Sequence, residues 1–410
     1  MGWLDYFFGP PGKDRFAQLV MAELRRQEPP GEETEEMRYD AERFYIARSD
    51  GGFLNLANVY HEYRRATRGK RQMVLQHFIR SCVGTVSYEL PEEFADVHPD
   101  LLPAVRSRFY LESIALQARA RGSDRVNVPQ QFIGEHLSLS LVYDLPQAMR
   151  SIGQDDLDRW GVSFYEAVEA AQQNLEQMGK IAFAQIGEGL FASATGDNYD
   201  ASRLILLELV RRFPLRGTPI AMVPNRDTLL VTGSDDQAGL EIMAKIAADT
   251  LNQPRPISTI AMSLEGDTWQ SWLPERDSSA YAAFHELRLR TLGSEYNDQK
   301  ELLDRAHRAT ETDLYVAQFS AVQKKQSGQV TSYAVWSDGL DILLPETDDV
   351  LFLRPRADGQ DGAVVAGGSW QKVQDVVGDS MLPQGMYPER YLVTQFPTES
   401  QLARIGKLAE

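Results

Sequence analysis

The sequence is nearly without sulfur chemistry: 410 residues contain one cysteine, Cys82. A lone thiol closes no intrachain disulfide, and it rules out cysteine-cluster zinc and cysteine-ligated iron–sulfur sites. Histidine is scarce too. The six (His61, His77, His98, His136, His285, His307) fall at no i, i+4 or metal-fork spacing, so a histidine-based zinc site has little support. His285-Glu286 opens like a zincin motif that no second histidine completes. No run of eighteen apolar residues occurs, which excludes a transmembrane helix. G-x-S-x-G, Walker A and G-x-G-x-x-G strings are missing as well. With them go the serine acyl hydrolase, P-loop and dinucleotide-binding readings. Positive charge is the last shortage. Lys and Arg number 42 against 59 Asp and Glu, a net charge of −17, which argues against a general nucleic-acid coat. No cofactor is expected.

Apolar content is ordinary, at 43%, and a chain of this length can bury large cores without metal or disulfide staples. The opening ten residues are apolar but lack the basic region and small-residue cleavage site of a signal peptide. Tyr6 stands where a myristoylation signal wants Ser or Thr. A reducing cytoplasm is therefore the expected compartment. Trp3, Phe7 and Phe8 offer peripheral contact with a membrane surface. The plainer expectation is that they fold back over a core edge before Gly9-Pro-Pro-Gly12 breaks the chain.

Pattern and punctuation predict an α+β protein of several mixed units with largely antiparallel sheets and flanking helices, not a doubly wound nucleotide-binding sheet. Three regions are expected: 1–125, a central domain over 126–275, and a strand-rich 276–410. In the first, helices are predicted over 13–26, 58–66, 71–83 and 101–121, with a hairpin over 43–56 turning at Ser49-Asp-Gly-Gly52. An acidic run, Glu32 to Glu36, reads as a solvated loop. A basic collar of Arg64, Arg65, Arg68, Lys70 and Arg71 reads as the corner of a helical hairpin, with an acidic partner as its alternative use. A strand over 136–143 follows. The central region predicts a helix over 162–178, strands over 181–186 and 190–194, and a buried helix from 200 to 213 capped by Asp197 or Asp200. A hairpin over 219–232, a helix over 236–251 and a strand over 257–264 complete it. Beyond a joint at 272–279 lie helices over 280–292 and 298–309. Strands over 314–323, 330–336, 340–344 and 350–354 follow, then a closing strand from Arg390 and a short helix opened by a capping box at Thr398.

One polar constellation stands out in the central region: Asp197, Asp200, Ser202, Arg203, Asn225, Arg226 and Asp227. If the strand before the helix and the hairpin turn share one sheet end, a helix N-terminus with Arg203 and Arg226 could bind an anion. Asp197, Asp200 and Asp227 could instead offer oxygen ligands to a divalent metal. The structural alternative is that the acids cap and turn while the arginines pair with them. Asp298-Gln-Lys300 faintly echoes the end of a nuclease motif and reads as a solvated helix face.

Gly196-Asp-Asn-Tyr-Asp-Ala-Ser-Arg-Leu204, followed by Val223-Pro-Asn-Arg-Asp227 before an apolar strand, resembles the YtpQ-like proteins. These are a bacterial cytosolic family with a domain of unknown function. Gly385-Met-Tyr-Pro-Glu-Arg-Tyr391 with Phe396-Pro397 is similar to an extension in longer relatives. The resemblance lies mainly in residues 180–275 and 340–405, and the first 150 residues depart from it. It implies a cytoplasmic α+β protein and names no reaction. The expectation is accordingly a non-enzymatic protein-binding or adaptor module with a protein partner. The alternative is an anion- or ligand-binding sensor, or a hydrolase, using the Asp200–Asp227 neighbourhood.

Overall fold

The structure, a computed structural model, describes residues 10–27, 37–41, 44–47, 53–87, 90–119, 128–145, 148–179, 181–251, 253–324, 328–355 and 362–407. The aromatic start with Trp3, Phe7 and Phe8, the acidic run 32–36 and the turn 49–52 lie outside these residues. The chain forms two compact units, each assembled from separate stretches of sequence. The first comprises Met1–Ala104, Ser140–Ile181 and Asp249–Pro256; the second comprises Val105–Leu139, Ala182–Ala248 and Ile257–Glu410.

In the first unit, helix Lys13–Gln27 buries Phe16, Val20 and Leu24 at four-residue spacing along one stripe. Helices Ala57–Arg65 and Arg68–Ser87 bring Val59, Leu75, Ile79 and Cys82 to the same core. Cys82 is thus a packing residue. The predicted hairpin is present as Tyr45–Ala47 against Phe53–Asn55, and Arg38–Asp40 adds a third antiparallel strand. A second core gathers Leu90, Val97, Leu141, Leu157, Ala167 and Ala171. Helix Phe164–Gln177 on that core begins with a capping box: Ser163 Oγ accepts the Glu166 N–H at 3.2 Å, and Glu166 accepts the Ser163 N–H at 2.8 Å.

The second unit holds a six-stranded sheet containing hairpins Phe183–Gly187/Leu190–Ser193, Pro219–Asn225/Thr228–Gly233 and Pro256–Glu265/Thr268–Ser271. Two four-stranded sheets follow. One contains Tyr315–Val316, Ile342–Pro345 and Arg390–Val393; the other contains Ser320–Gln323, Val330–Ser337, Asp349–Arg354 and Ala363–Ser369. Trp336, Phe352 and Val373 anchor the core between them and the helices Trp370–Val377 and Glu399–Ile405. Thr398 caps the latter helix through the predicted box. Two strand pairs are parallel, and the remaining described registers are antiparallel. The fold is α+β.

Outside the polar constellation, three expectations need correction. The stretch expected as helix from 101 opens as strand Leu101–Ser107, and only Arg108–Arg119 is helical. Its first five residues are all buried, and Pro103 lacks the N–H a helix interior needs, so a two-sided buried strand is the better solution. The helices expected over 280–292 and 298–309 are one, Tyr281–Ala309. Gly293, Ser294 and Asn297 are weak helix formers, but Glu295, Tyr296 and Gln299 beside them are buried and hydrogen-bonded across the unit. Those tertiary bonds carry the helix through. The strand expected over 314–323 is two short strands in different sheets, and the turn at Ser337-Asp-Gly339 likewise joins strands of different sheets.

Candidate functional site

The polar constellation of the sequence is brought together in the second unit. The single buried helix expected from 200 to 213 is instead a turn of 3₁₀ helix, Ala201–Ile205, followed by Leu207–Arg211, with Leu206 at ψ 73° between them. Asp200 makes no side-chain cap there. Its carboxylate accepts backbone N–H groups upstream, Thr195 at 3.3 Å and Gly196 at 3.0 Å. Asp197 accepts the Tyr199 N–H and pairs with Arg203 at 2.9 and 2.6 Å through both guanidinium ends. The Arg203 side chain is fully buried, with Asp200 a further 3.8 Å away. Ser202 Oγ accepts the Val105 N–H, Asn225 accepts the Asp227 N–H, and Arg226 donates to Asp227 and Asn198. Ala201 N donating to Arg226 O at 3.1 Å ties the two loops together. These ties explain the broken helix. Among the described residues, no group of three His, Cys, Asp or Glu is placed to hold a metal ion.

Burial works to raise the Asp197 carboxyl, but the bonds from Arg203 and the Tyr199 N–H outweigh it and hold it below its usual range. Asp197→Asn is expected to cost about 2 kcal/mol at neutral pH, the scale of a charge-assisted hydrogen bond. Because the folded value is depressed, that stability is fully present above 3.8 and is lost as pH falls through the folded value. Urea titrations at descending pH should show the gap between wild type and variant closing. A gap unchanged by acid would assign the loss to something other than the carboxylate.

A larger opening lies elsewhere in the same unit. The long helix Tyr281–Ala309 presents Tyr281, His285, Arg288, Leu292 and Tyr296 at offsets of 4, 7, 11 and 15, one helical face. They line a cleft of about 340 Å³ closed by Glu135, His136, Arg276, Glu346, Asp348, Tyr387 and Glu389. A neighbouring cavity of about 320 Å³ shares Arg276, Tyr281, His285 and Asp348. His285 Nε2 lies 3.2 Å from Asp348 Oδ1, with the Tyr281 ring stacked on the imidazole at 5.5 Å. Asp348 also accepts the Ser332 N–H and hydroxyl, each at 2.8 Å. Burial opposes its ionisation, but these bonds from His285 and Ser332 prevail and hold its carboxyl below the usual range.

Behind the open wall runs a buried chain of hydrogen bonds. Arg288 donates to Ser271 Oγ at 2.8 Å, and Ser271 meets His136 Nε2 at 3.2 Å. His136 Nδ1 meets Tyr387 Oη at 2.8 Å, and Tyr387 donates to Glu295 at 3.0 Å. Ser107 donates to the other Glu295 oxygen at 2.6 Å. His136 is pushed down to about 3 by burial, then by the Arg288 and Arg108 cations, so it is neutral at physiological pH. A neutral ring that donates from Nδ1 accepts at Nε2. In that tautomer, with Glu295 ionised, all donors point one way, from Arg288 at the cleft to the Glu295 carboxylate inside. Burial pushes Glu295 up to about 7, against the bonds from Ser107 and Tyr387.

None of His136, Arg276, Arg288, Glu295 and Tyr387 was a site candidate in the sequence. A signal existed for part of it: the string Gly385-Met-Tyr-Pro-Glu-Arg-Tyr391 supplies Tyr387, Pro388 and Glu389 to the cleft.

The chain is similar to a UPF0354 protein of Listeria innocua, 30% identical over 114 residues that make up 26% of this chain and 42% of that relative. UPF0354 proteins of Listeria welshimeri and Listeria monocytogenes match at 29% over 112 and 111 residues, with the same shares covered. The chain thus spans about two fifths of the length of the curated relatives it matches. These partial relatives are bacterial proteins of an uncharacterised family, in keeping with the YtpQ-like resemblance over a segment. No family model matches the chain, and no solved structure does. No helix among the described residues is long and apolar enough to cross a membrane.

Proposed function

We propose that the second unit binds a small polar molecule bearing an acidic group, held in the cleft by Arg276 and Arg288. The observation that carries this reading is the state of those two arginines. Among the described residues neither has an ion pair, both line the cleft, and Arg288 donates one hydrogen bond, to Ser271. A guanidinium with free donors at a concave wall is suited to carboxylate or phosphate. The Asp197–Asp227 cluster is the alternative anion site. Against it counts that Arg203 and Arg226 already engage Asp197 and Asp227.

Binding rather than turnover fits the cleft, because its polar floor is held by internal hydrogen bonds and His136 is neutral with both nitrogens engaged. An adaptor role is consistent with that: a protein partner would recognise the occupied form. The buried single thiol and the cytosolic family resemblance support a reducing cytoplasm as the setting.

Thermal shift and calorimetry with citrate, glutamate and inorganic phosphate test the reading. At least one should stabilise the wild type, with affinity tenfold or more weaker in Arg276→Ala/Arg288→Ala, about 1.4 kcal/mol. The melting temperature without additive should stay near that of the wild type. If none of the three binds, or the double variant binds them equally well, the cleft is not an acid-binding site.

A further inference from the structure

The first unit has a groove of about 600 Å³ between the start of helix Lys13–Gln27 and one side of helix Ala57–Arg65. Lys13, His61, Arg64 and Arg65 stand on its walls with one acid, Asp249, and Gln253, so the cations outnumber the carboxylate three to one; Phe44 and Tyr60 lie beneath. Two of the cations are seated on rings: Lys13 Nζ is 5.1 Å from the Phe44 centroid, and the Arg64 guanidinium carbon is 5.8 Å from that of Tyr60. The rings brace each other edge to face at 5.1 Å. Arg65 Nη1 is 3.5 Å from His61 Nε2.

In a chain with 59 carboxylates and 42 Lys and Arg, most cations should find an acid. Arg26, Arg150, Arg159, Arg211, Arg216, Arg226, Arg255, Arg290 and Arg354 do so. Among the described residues, Lys13, Arg64 and Arg65 have no carboxylate within ion-pair distance, although Glu62 on the same helix pairs with Arg255 at 3.1 Å. Three converging cations, two of them fixed on aromatic faces, form a preorganised receptor for several negative charges. We propose that this groove docks a short acidic peptide segment of a partner protein, with a carboxylate each for Lys13, Arg64 and Arg65.

The aromatic floor favours a peptide over single-stranded nucleic acid. Base binding needs free ring faces for stacking, whereas Lys13 and Arg64 already cover Phe44 and Tyr60, and Phe44 is only 4% exposed. The net charge of −17 also repels a long polyanion beyond the groove more than it repels a short peptide.

The test is fluorescence anisotropy of the full chain with labelled hexaglutamate, hexaglutamine, and a six-nucleotide thymidine oligomer at low salt. Hexaglutamate should bind, weaken with added salt, and lose tenfold or more in affinity in Arg64→Ala/Arg65→Ala and, separately, in Lys13→Gln. Arg290→Ala, which removes a cation outside the groove, should bind as wild type does. These side chains are exposed, and matching circular dichroism melts confirm that the variants are folded. Failure of hexaglutamate to bind, equal binding by all variants, binding of hexaglutamine with equal affinity, or tighter binding of the oligonucleotide each overturns the proposal.

Discussion

Replacing Arg390 with methionine should lower the stability of the protein by about 3–5 kcal/mol, the cost of stranding several buried acceptors less the relief of no longer burying a cation. Arg390 is fully buried and makes no ion pair among the described residues. Its guanidinium is held by neutral acceptors alone. Nε donates to Gln299 Oε1 at 2.6 Å, Nη1 to the Ala317 and Leu343 carbonyls at 2.7 and 3.1 Å, and Nη2 to the Tyr296 carbonyl at 3.1 Å. Those acceptors sit on the long helix, the segment after Tyr315–Val316, and strand Ile342–Pro345. One side chain therefore joins three elements. Burial brings its pKa down to about 10, which still leaves it charged at neutral pH.

Methionine fills much of the volume but strands the acceptors, and each buried unsatisfied group costs about 1–3 kcal/mol. Relief from burying a cation offsets part of the sum, which is why the expected figure is below a simple total. Arg390→Lys keeps the charge but not the planar fork, so it should fall between the two. Urea denaturation decides the matter. A midpoint for the methionine variant close to wild type, with the same slope, would mean that the acceptors repair themselves and that Arg390 is not the joint.

What the sequence could and could not show follows from how local each feature is. Ser163 with Glu166, and Thr398 with Gln401, announce helix starts because a capping box is closed within four residues. The stripe of Phe16, Val20 and Leu24 is equally local. Leu206 is different: an all-apolar run reads as a buried helix, and only the bonds of Ser202 to Val105 and of Ala201 to Arg226 break it. The Asp197–Asp227 cluster was legible because its members lie within a short span and share one hairpin end. The cleft was not, since Ser107, His136, Ser271, Glu295 and Tyr387 come from separate stretches scattered between residues 107 and 387. No spacing rule connects them until the long helix has formed, and Gly293 with Asn297 disguises that helix as two.

Glu295 sets the second large effect, a dependence on pH that the wild type conceals. Its carboxyl is raised from 4.5 to about 7. Across that interval the folded state holds a proton that the unfolded chain has released. The resulting stabilisation is fully present below 4.5 and is lost as pH rises through about 7. His136 runs the other way. Lowered from 6.5 to about 3, it contributes stability that is fully present above 6.5 and is lost as pH falls toward 3. Each slope is about 1.4 kcal/mol per pH unit. Between pH 4.5 and 6.5 they are opposite in sign and cancel. Glu295→Gln keeps an oxygen acceptor for Tyr387 or Ser107 and removes the titration. Its stability relative to wild type should climb by about 3 kcal/mol from pH 4.5 to 7, and its own curve should expose the histidine slope. His136→Asn should expose the falling carboxyl slope instead. Paired denaturation curves at half-unit steps of pH separate the two. If the Glu295→Gln difference is level across the interval, the carboxyl titrates as it does in water, and burial does not hold its proton against the bonds from Ser107 and Tyr387.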